Sequence, residues 1–381
     1  RLAMSMFERL AAERLAEIDA RYPAAHKQQV TARLRRAWEK QPAADRIPYV
    51  VLHYRQDGFA PQDDLSAWEN EFLAQLQGIL NHREWDDDYL PVFHFGILQA
   101  LIPAYFGCGE RHSQDGRSVE TVPVIREAAD VYTLAPVGFG PETLGGQMLE
   151  KMRFFQQAAQ GRILLAETDM QGPFSVASQI WGVEEFLLAV YEEPEAVHHL
   201  LELTTDAIIT YIQKMFAVSE GNLSPCHCMP YLWMDSRYGV CVSEDLLAVV
   251  SPAVTEEFIA PYLERIGRAF GGVLVHTCGS MNHSIKVLTR TPYLTGVNCS
   301  SSETDIPRLV ADGGEKLTYL VHSAPVSCMN LPLLSCEEQL VLCRETFGRR
   351  YAGISQVVPY TKSPQLDIPR TAAALQKLAV L

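Results

Sequence analysis

From Ile47 onward, short apolar runs alternate with long amphipathic stretches, the pattern that alternating strands and helices leave in a sequence. The apolar runs predict strands at Tyr49–Tyr54, Tyr89–Phe95, Ile163–Thr168, Pro225–Met234, Val273–Cys278, Leu294–Cys299, Leu317–His322 and Ala352–Val357. Helices are predicted over Leu144–Ala159, Val183–Tyr191, Pro194–Ala217, Pro252–Phe270, Ile306–Asp312 and Glu337–Phe347, several opening with proline or an acidic residue in the first turn. Eight strands with interleaved helices predict an α/β fold, a (β/α)8 TIM-type barrel. Residues 1–45 read instead as helices, Phe7 to Ala20 and His26 to Lys40, followed by a turn at Gln41-Pro42. This predicts an N-terminal helical extension, placed as a lid or cap, before one barrel domain over 46–381. No internal repeat or low-complexity linker calls for a further division.

Composition narrows the function classes. A chain of 381 residues with 48% hydrophobic and 20% charged residues can bury a large core. Its net charge of −14 repels nucleic-acid phosphates, and no run of Lys and Arg interleaved with aromatics offsets that. No apolar run reaches the roughly 18 uncharged residues of a membrane span, and the N-terminal stretch is a charged helix rather than a signal peptide. The expectation is a soluble, cytoplasmic protein without nucleic-acid or membrane partners. Nine cysteines, an odd count scattered over a long chain, fit free thiols in a reducing compartment better than a disulfide framework.

Those thiols become interesting where they meet histidines. The run from Gly271 to Gly279 is an apolar strand ending in His276 and Cys278, two residues apart and so on one side of the strand. Gly279 lets the backbone turn sharply just after them. The fourth predicted strand carries Cys226, His227 and Cys228, the sixth ends in Cys299 and the seventh in His322. Thiolates and imidazoles at neighbouring strand ends suit tetrahedral zinc, with three protein ligands and an open fourth position in a catalytic site. The plainer alternative is buried cysteines and a hydrogen-bonded histidine.

A family resemblance is carried by Val242-Ser243-Glu244-Asp245, Val250-Ser251-Pro252 through Phe258, Pro261-Tyr262, Gly271-Gly272 and His276-Thr277-Cys278-Gly279. These resemble the uroporphyrinogen decarboxylase family, which also contains zinc-dependent methylcobamide:coenzyme M methyltransferases. The segment from Thr168 to Ser178 is similar to the family's glycine-x-proline-aromatic-Ser/Thr turn after the third strand, and Arg55-Gln56-Asp57-Gly58 resembles its first-strand turn. The resemblance implies a (β/α)8 barrel and a homodimer.

It also separates two chemistries. The decarboxylase branch places a second arginine where this chain has Phe59, a tyrosine where it has Gln179, and a histidine within Ser355-Gln356-Val357-Val358-Pro359, which has none; its second-strand aspartate matches Asp88 loosely. The methyltransferase branch implies a zinc site of a His-x-Cys pair, matched by His276 and Cys278, plus a later cysteine, for which Cys226, Cys228 or Cys299 could stand in. The reaction then implied is Lewis-acid activation of a small thiol, which takes a methyl group from a corrinoid protein. The alternatives are a metal-free decarboxylase of a porphyrinogen or other polycarboxylate, or a tetrapyrrole-binding protein. Substrate contacts are expected from Arg55, Asp169, Gln171, Gln179, Tyr238 and His322, and acid-base roles from Glu303 and Asp235. Asp169 could equally cap the next helix, Glu303 open one, and Arg55 pair with Asp86, Asp87 or Asp88.

Overall fold

The computed structural model describes residues 4–96, 98–112, 119–226, 232–323, 331–359 and 366–381. Its strands are β1 Tyr49–Val51, β2 Val92–Phe93, β3 Gly109–His112, β4 Val119–Val122, β5 Leu164–Ala166, β6 Leu223–Ser224, β7 Val240–Ser243, β8 Val273–His276, β9 Leu294–Ser300, β10 Thr318–His322 and β11 Gly353–Val357. All but the β3–β4 hairpin are parallel, in a six-stranded run β1-β11-β10-β9-β8-β7 and a three-stranded run β2-β5-β6. Two seams join the runs into a barrel. On one side Gln171, beyond β5, bridges Ser243 of β7 in parallel. On the other, Asp88 N–H donates to Tyr49 O at 2.9 Å, while the Asp87 carboxylate accepts Val51 N–H at 2.6 Å.

Seven of the eight expected strands stand where the pattern put them. The exception is Pro225–Met234, whose residues 225–226 and 232–234 are irregular, the remainder lying outside the described residues. Its place in the ring is split between β6, paired with β5, and β7, paired with β8. Proline lacks the backbone donor that a central ladder needs, which disfavours a strand at Pro225, while Val240-Cys241-Val242-Ser243 after Gly239 supplies one. The expected helices are present. The longest deviation is within Pro252–Phe270, which breaks into Pro252–Val254, a π-turn at Thr255–Ile259 and Ala260–Phe270. Pro261 cannot donate into the preceding turn, and the wider turn accommodates it.

Of the N-terminal helices, Ala24–Trp38 lies at the end of the barrel opposite the strands' C-termini, while Met6–Arg21 runs alongside the helix Ala67–His82, with Phe7 on Phe72 and Tyr22 OH donating to Ile79 O. Ser5 and Glu8 form a capping box on the first, and its buried stripe is Ala11, Leu15 and Ile18, spaced for one helix face. The second buries Val30, Leu34, Ala37 and Trp38; Ala37 O accepts from Thr318 Oγ1, at the start of β10, at 2.6 Å. The second helix therefore lies at the barrel floor and not over its mouth. No helix among the described residues is long and apolar enough to cross a membrane.

Asp88 pins this floor. It is 0% exposed and takes Arg33 Nη1 at 2.5 Å, Arg46 Nη1 at 2.9 Å and Tyr49 N–H at 3.0 Å. The sequence placed Asp88 as a loose match to the decarboxylases' second-strand aspartate and as one possible partner of Arg55; here it is the knot tying the extension to β1. Removing one partner of such a buried set strands the others, so Asp88→Ala is expected to lose about 3–5 kcal/mol of stability by urea unfolding, whereas an effect under 1 kcal/mol would refute the knot.

Candidate functional site

Parallel strands present all their C-terminal ends at one rim, and register decides which side chains meet there. Ser243 of β7 pairs with His276 of β8, and His276 pairs with Asn298 of β9. Alternation sends His276 and Asn298 into the barrel and Cys299 outward, where the neighbours of its thiol are Thr304 and Cys343. Cys278 rejoins the inward side, with Sγ 3.3 Å from His276 Nε2. Gly279 has φ +104°, and a Cβ there would stand 2.6 Å from that of Ala248, so the turn after Cys278 requires glycine.

Asp245, two residues beyond β7, completes the group. Its Oδ1 accepts Cys278 N–H at 2.9 Å and its Oδ2 accepts Gln171 Nε2 at 3.0 Å. One ligand atom each from Asp245, His276 and Cys278 lie within 4.8 Å of one another, and no other such trio of His, Cys, Asp or Glu occurs among the described residues.

A buried amide fixes the imidazole. Asn298 Nδ2 donates to Leu320 O at 3.0 Å, which leaves Asn298 Oδ1 to accept from His276 Nδ1. Reversing the amide would set two oxygens face to face, so the network assigns the proton of His276 to Nδ1 and leaves Nε2 bare beside the thiol. Asn298 Nδ2 also approaches His322 Nδ1 at 3.3 Å, and the His322 ring stacks on that of His276 with centroids 5.6 Å apart. Burial, then His276, pushes the His322 pKa down to about 3, so that ring is neutral.

Glu244 anchors the same corner from behind. It is 0% exposed, and its carboxylate accepts Phe174 N–H at 2.9 Å, Ser175 N–H at 2.9 Å and Ser175 Oγ at 2.8 Å, at the N-terminus of the helix Pro173–Trp181. Helix N-termini offer unpaired N–H groups and partial positive charge, which suits a carboxylate. Burial nonetheless raises its pKa to about 7, against those hydrogen bonds. Its own N–H donates to His276 O at 2.7 Å, so one residue ties helix, β7 and β8 together next to Asp245. Gly172 makes this possible, since a Cβ there would meet Glu244 Oε1 at 2.5 Å.

The electrostatics are acidic. Burial, then Asp245, Glu303 and Asp169, pushes the Cys278 thiol up to about 12, so it is protonated at neutral pH unless a cation joins it. Glu303, 2% exposed, accepts Gly279 N–H at 2.7 Å and so holds the turn. Asp169 accepts Ser243 Oγ at 3.1 Å and does not cap the next helix, whose N-cap is Gly172. Gln171 orients Asp245.

Other expected residues lie elsewhere. Cys226 is buried beyond β6 and outside the trio, as is the outward-facing Cys299; Cys228 lies outside the described residues. Asp235 caps the turn Ser236–Tyr238 before β7, and Tyr238 OH donates to Glu39 Oε1 at 2.7 Å, so both sit on the barrel floor. Arg55 is neutralised by Asp57 at 3.2 Å and Glu84 at 2.5 Å, not by Asp86, Asp87 or Asp88. Gln179 lines a separate cleft of about 600 Å³ with Leu98, Glu110, Glu120 and Ser178. The sequence reading missed Asp245 as a ligand and Asn298 as its neighbour's support. Recognising Val240–Ser243 as a strand would have set Asp245 at a rim position beside β8.

Comparison with known proteins agrees with this architecture. Residues 90–220 match uroporphyrinogen decarboxylase (URO-D), a stretch that includes the Gly172 turn but ends before Asp245. That stretch, 131 of the 381 residues, is similar to uroporphyrinogen decarboxylase. Among solved structures it is similar to a methyltransferase from Methanosarcina mazei, at 14% identity over 92% of this chain and 98% of that one, with a TM-score of 0.64, a likeness of fold. No curated protein matches it. For the Gly172 cradle, Gly172→Ala is expected to cost about 1–3 kcal/mol through overpacking against Glu244, read as a lowered Tm; an unchanged Tm would contradict the cradle.

Proposed function

We propose that this uroporphyrinogen decarboxylase-like protein is a zinc-dependent methyltransferase that moves a methyl group from a corrinoid protein to a small thiol. The observation that carries the proposal is the convergence of Asp245, His276 and Cys278 within 4.8 Å. Nitrogen, sulfur and a single carboxylate oxygen suit zinc and disfavour magnesium or calcium, which take oxygen ligands. Three protein ligands leave a fourth position for substrate. The carboxylates of Asp169 and Glu303 add negative charge beside the Cys278 thiol, which a divalent cation would offset.

When bound, zinc would supply Lewis acidity that lowers the pKa of a substrate thiol. The chain's own residues do the rest. Asn298 holds the His276 proton on Nδ1 and keeps Nε2 available. Gln171 and the Cys278 N–H fix the two oxygens of Asp245. Glu303 and Glu244 brace the turns on either side. The same acidity argues against decarboxylation of a polycarboxylate, whose anionic groups would face Asp169, Asp245 and Glu303 while Arg55 is already paired.

Protein loaded with zinc and dialysed is expected to retain about one zinc per chain, lost in Asp245→Ala, His276→Ala and Cys278→Ala. It is further expected to methylate a small thiol from methylcobalamin, an activity those variants lack. Wild-type protein that holds no metal, or a Cys278→Ala variant with full transfer activity, would defeat the proposal. Asn298→Ala, which removes the imidazole's orienting partner, is expected to weaken zinc binding about 10–100-fold in chelator competition.

A further inference from the structure

Among the polar atoms around the trio, His322 Nε2 stands out: it is buried, on a residue 0% exposed, and has no hydrogen-bond partner among the described residues. Its chemical identity follows from its neighbours. The Asn298 amide nitrogen has two hydrogens, one given to Leu320 O at 3.0 Å; the other reaches His322 Nδ1 at 3.3 Å, nearer than Gln356 Oε1 at 3.4 Å, so Nδ1 accepts and Nε2 carries the hydrogen. The result is a buried N–H with nothing to receive it, a costly arrangement in a finished barrel interior.

Its position is as specific as its chemistry. His322 pairs with Ser300 on one side and Gln356 on the other. Since His276 pairs with Asn298 and Asn298 with Leu320, His322 stands two residues nearer the rim than the row of His276. The rings of His276 and His322 stack with centroids 5.6 Å apart, so the orphan donor belongs to the ring next to the trio's imidazole. The carboxylates of Asp169, Asp245 and Glu303 surround the Cys278 thiol and penalise an anionic molecule at that end of the site.

We propose that His322 is a specificity residue whose Nε2–H binds the tail of the methyl acceptor, which is a short thiol bearing a neutral oxygen acceptor such as a hydroxyl, carbonyl or ether. This rests on the thiol-transfer reading above. A site that holds a buried donor for the right ligand rejects an analogue lacking the acceptor, because the donor is then left unpaired.

Equilibrium binding of thiols to the cobalt(II)-loaded protein, followed by the sulfur-to-metal absorption, tests this without turnover. For the wild type, 2-mercaptoethanol is expected to bind at least about tenfold more tightly than 1-propanethiol, its near isostere without oxygen, and more tightly than 3-mercaptopropionate. In His322→Phe, which keeps a ring of similar size without the donor, the gap between the first two closes while the metal content stays that of the wild type. Equal binding of 2-mercaptoethanol and 1-propanethiol by the wild type overturns the proposal without any variant, and would mean that the donor serves a trapped water. A gap that survives in His322→Phe, or tighter binding of 3-mercaptopropionate, overturns it equally. Metal-loaded wild type that binds none of the thiols defeats the thiol-transfer reading itself, and this inference with it.

Discussion

The site depends on the parallel register that sets Ser243, His276 and Asn298 side by side. Because successive residues on a strand face opposite ways, a slip of one position would turn His276 into the helix layer and bring Val275 inward. Every contact at the rim follows from this alignment. Asn298 reaches the imidazole because it is the direct neighbour across β8 and β9, and Asp245 reaches Cys278 N–H because β7 ends level with β8.

Holding polar groups inside a barrel requires that each find a partner, and the rim shows how far this chain goes to provide them. Asn298 serves His276, Leu320 O and His322 at once. Glu244 is spent on a helix N-terminus, and a glycine is kept at 172 so that it can be. The unpaired His322 donor is conspicuous against this background of satisfied groups. The charge balance points the same way: a thiol surrounded by Asp245, Glu303 and Asp169 is far easier to reconcile with a cation than with an anionic substrate.

The opposite end of the barrel has another task. There Asp88 gathers Arg33, Arg46 and Tyr49 N–H, Thr318 binds Ala37 O, and Tyr238 binds Glu39. Among the described residues, nothing on this floor resembles the trio above. Acidic and aromatic residues alone therefore do not mark function; Asp235 and Tyr238 had a plausible chemistry in the sequence and serve structure in the fold.

Local pattern by itself determined the barrel, most helix and strand positions, and the His276–Cys278 pair, because those follow from alternation and periodicity within a few residues. Gly279 was legible for the same reason, since a sharp turn after the pair needs it. What only the tertiary structure decided was which distant groups complete that pair. Cys299 and Asn298 are adjacent in sequence, and the half-turn of the pleat sends one outward and the other to the imidazole. Asp245 became visible as a ligand only once Val240–Ser243 was known to pair with β8. Which strand lies beside which, and in what register, is set by contacts across tens or hundreds of residues, and no local stretch of the chain contains that information.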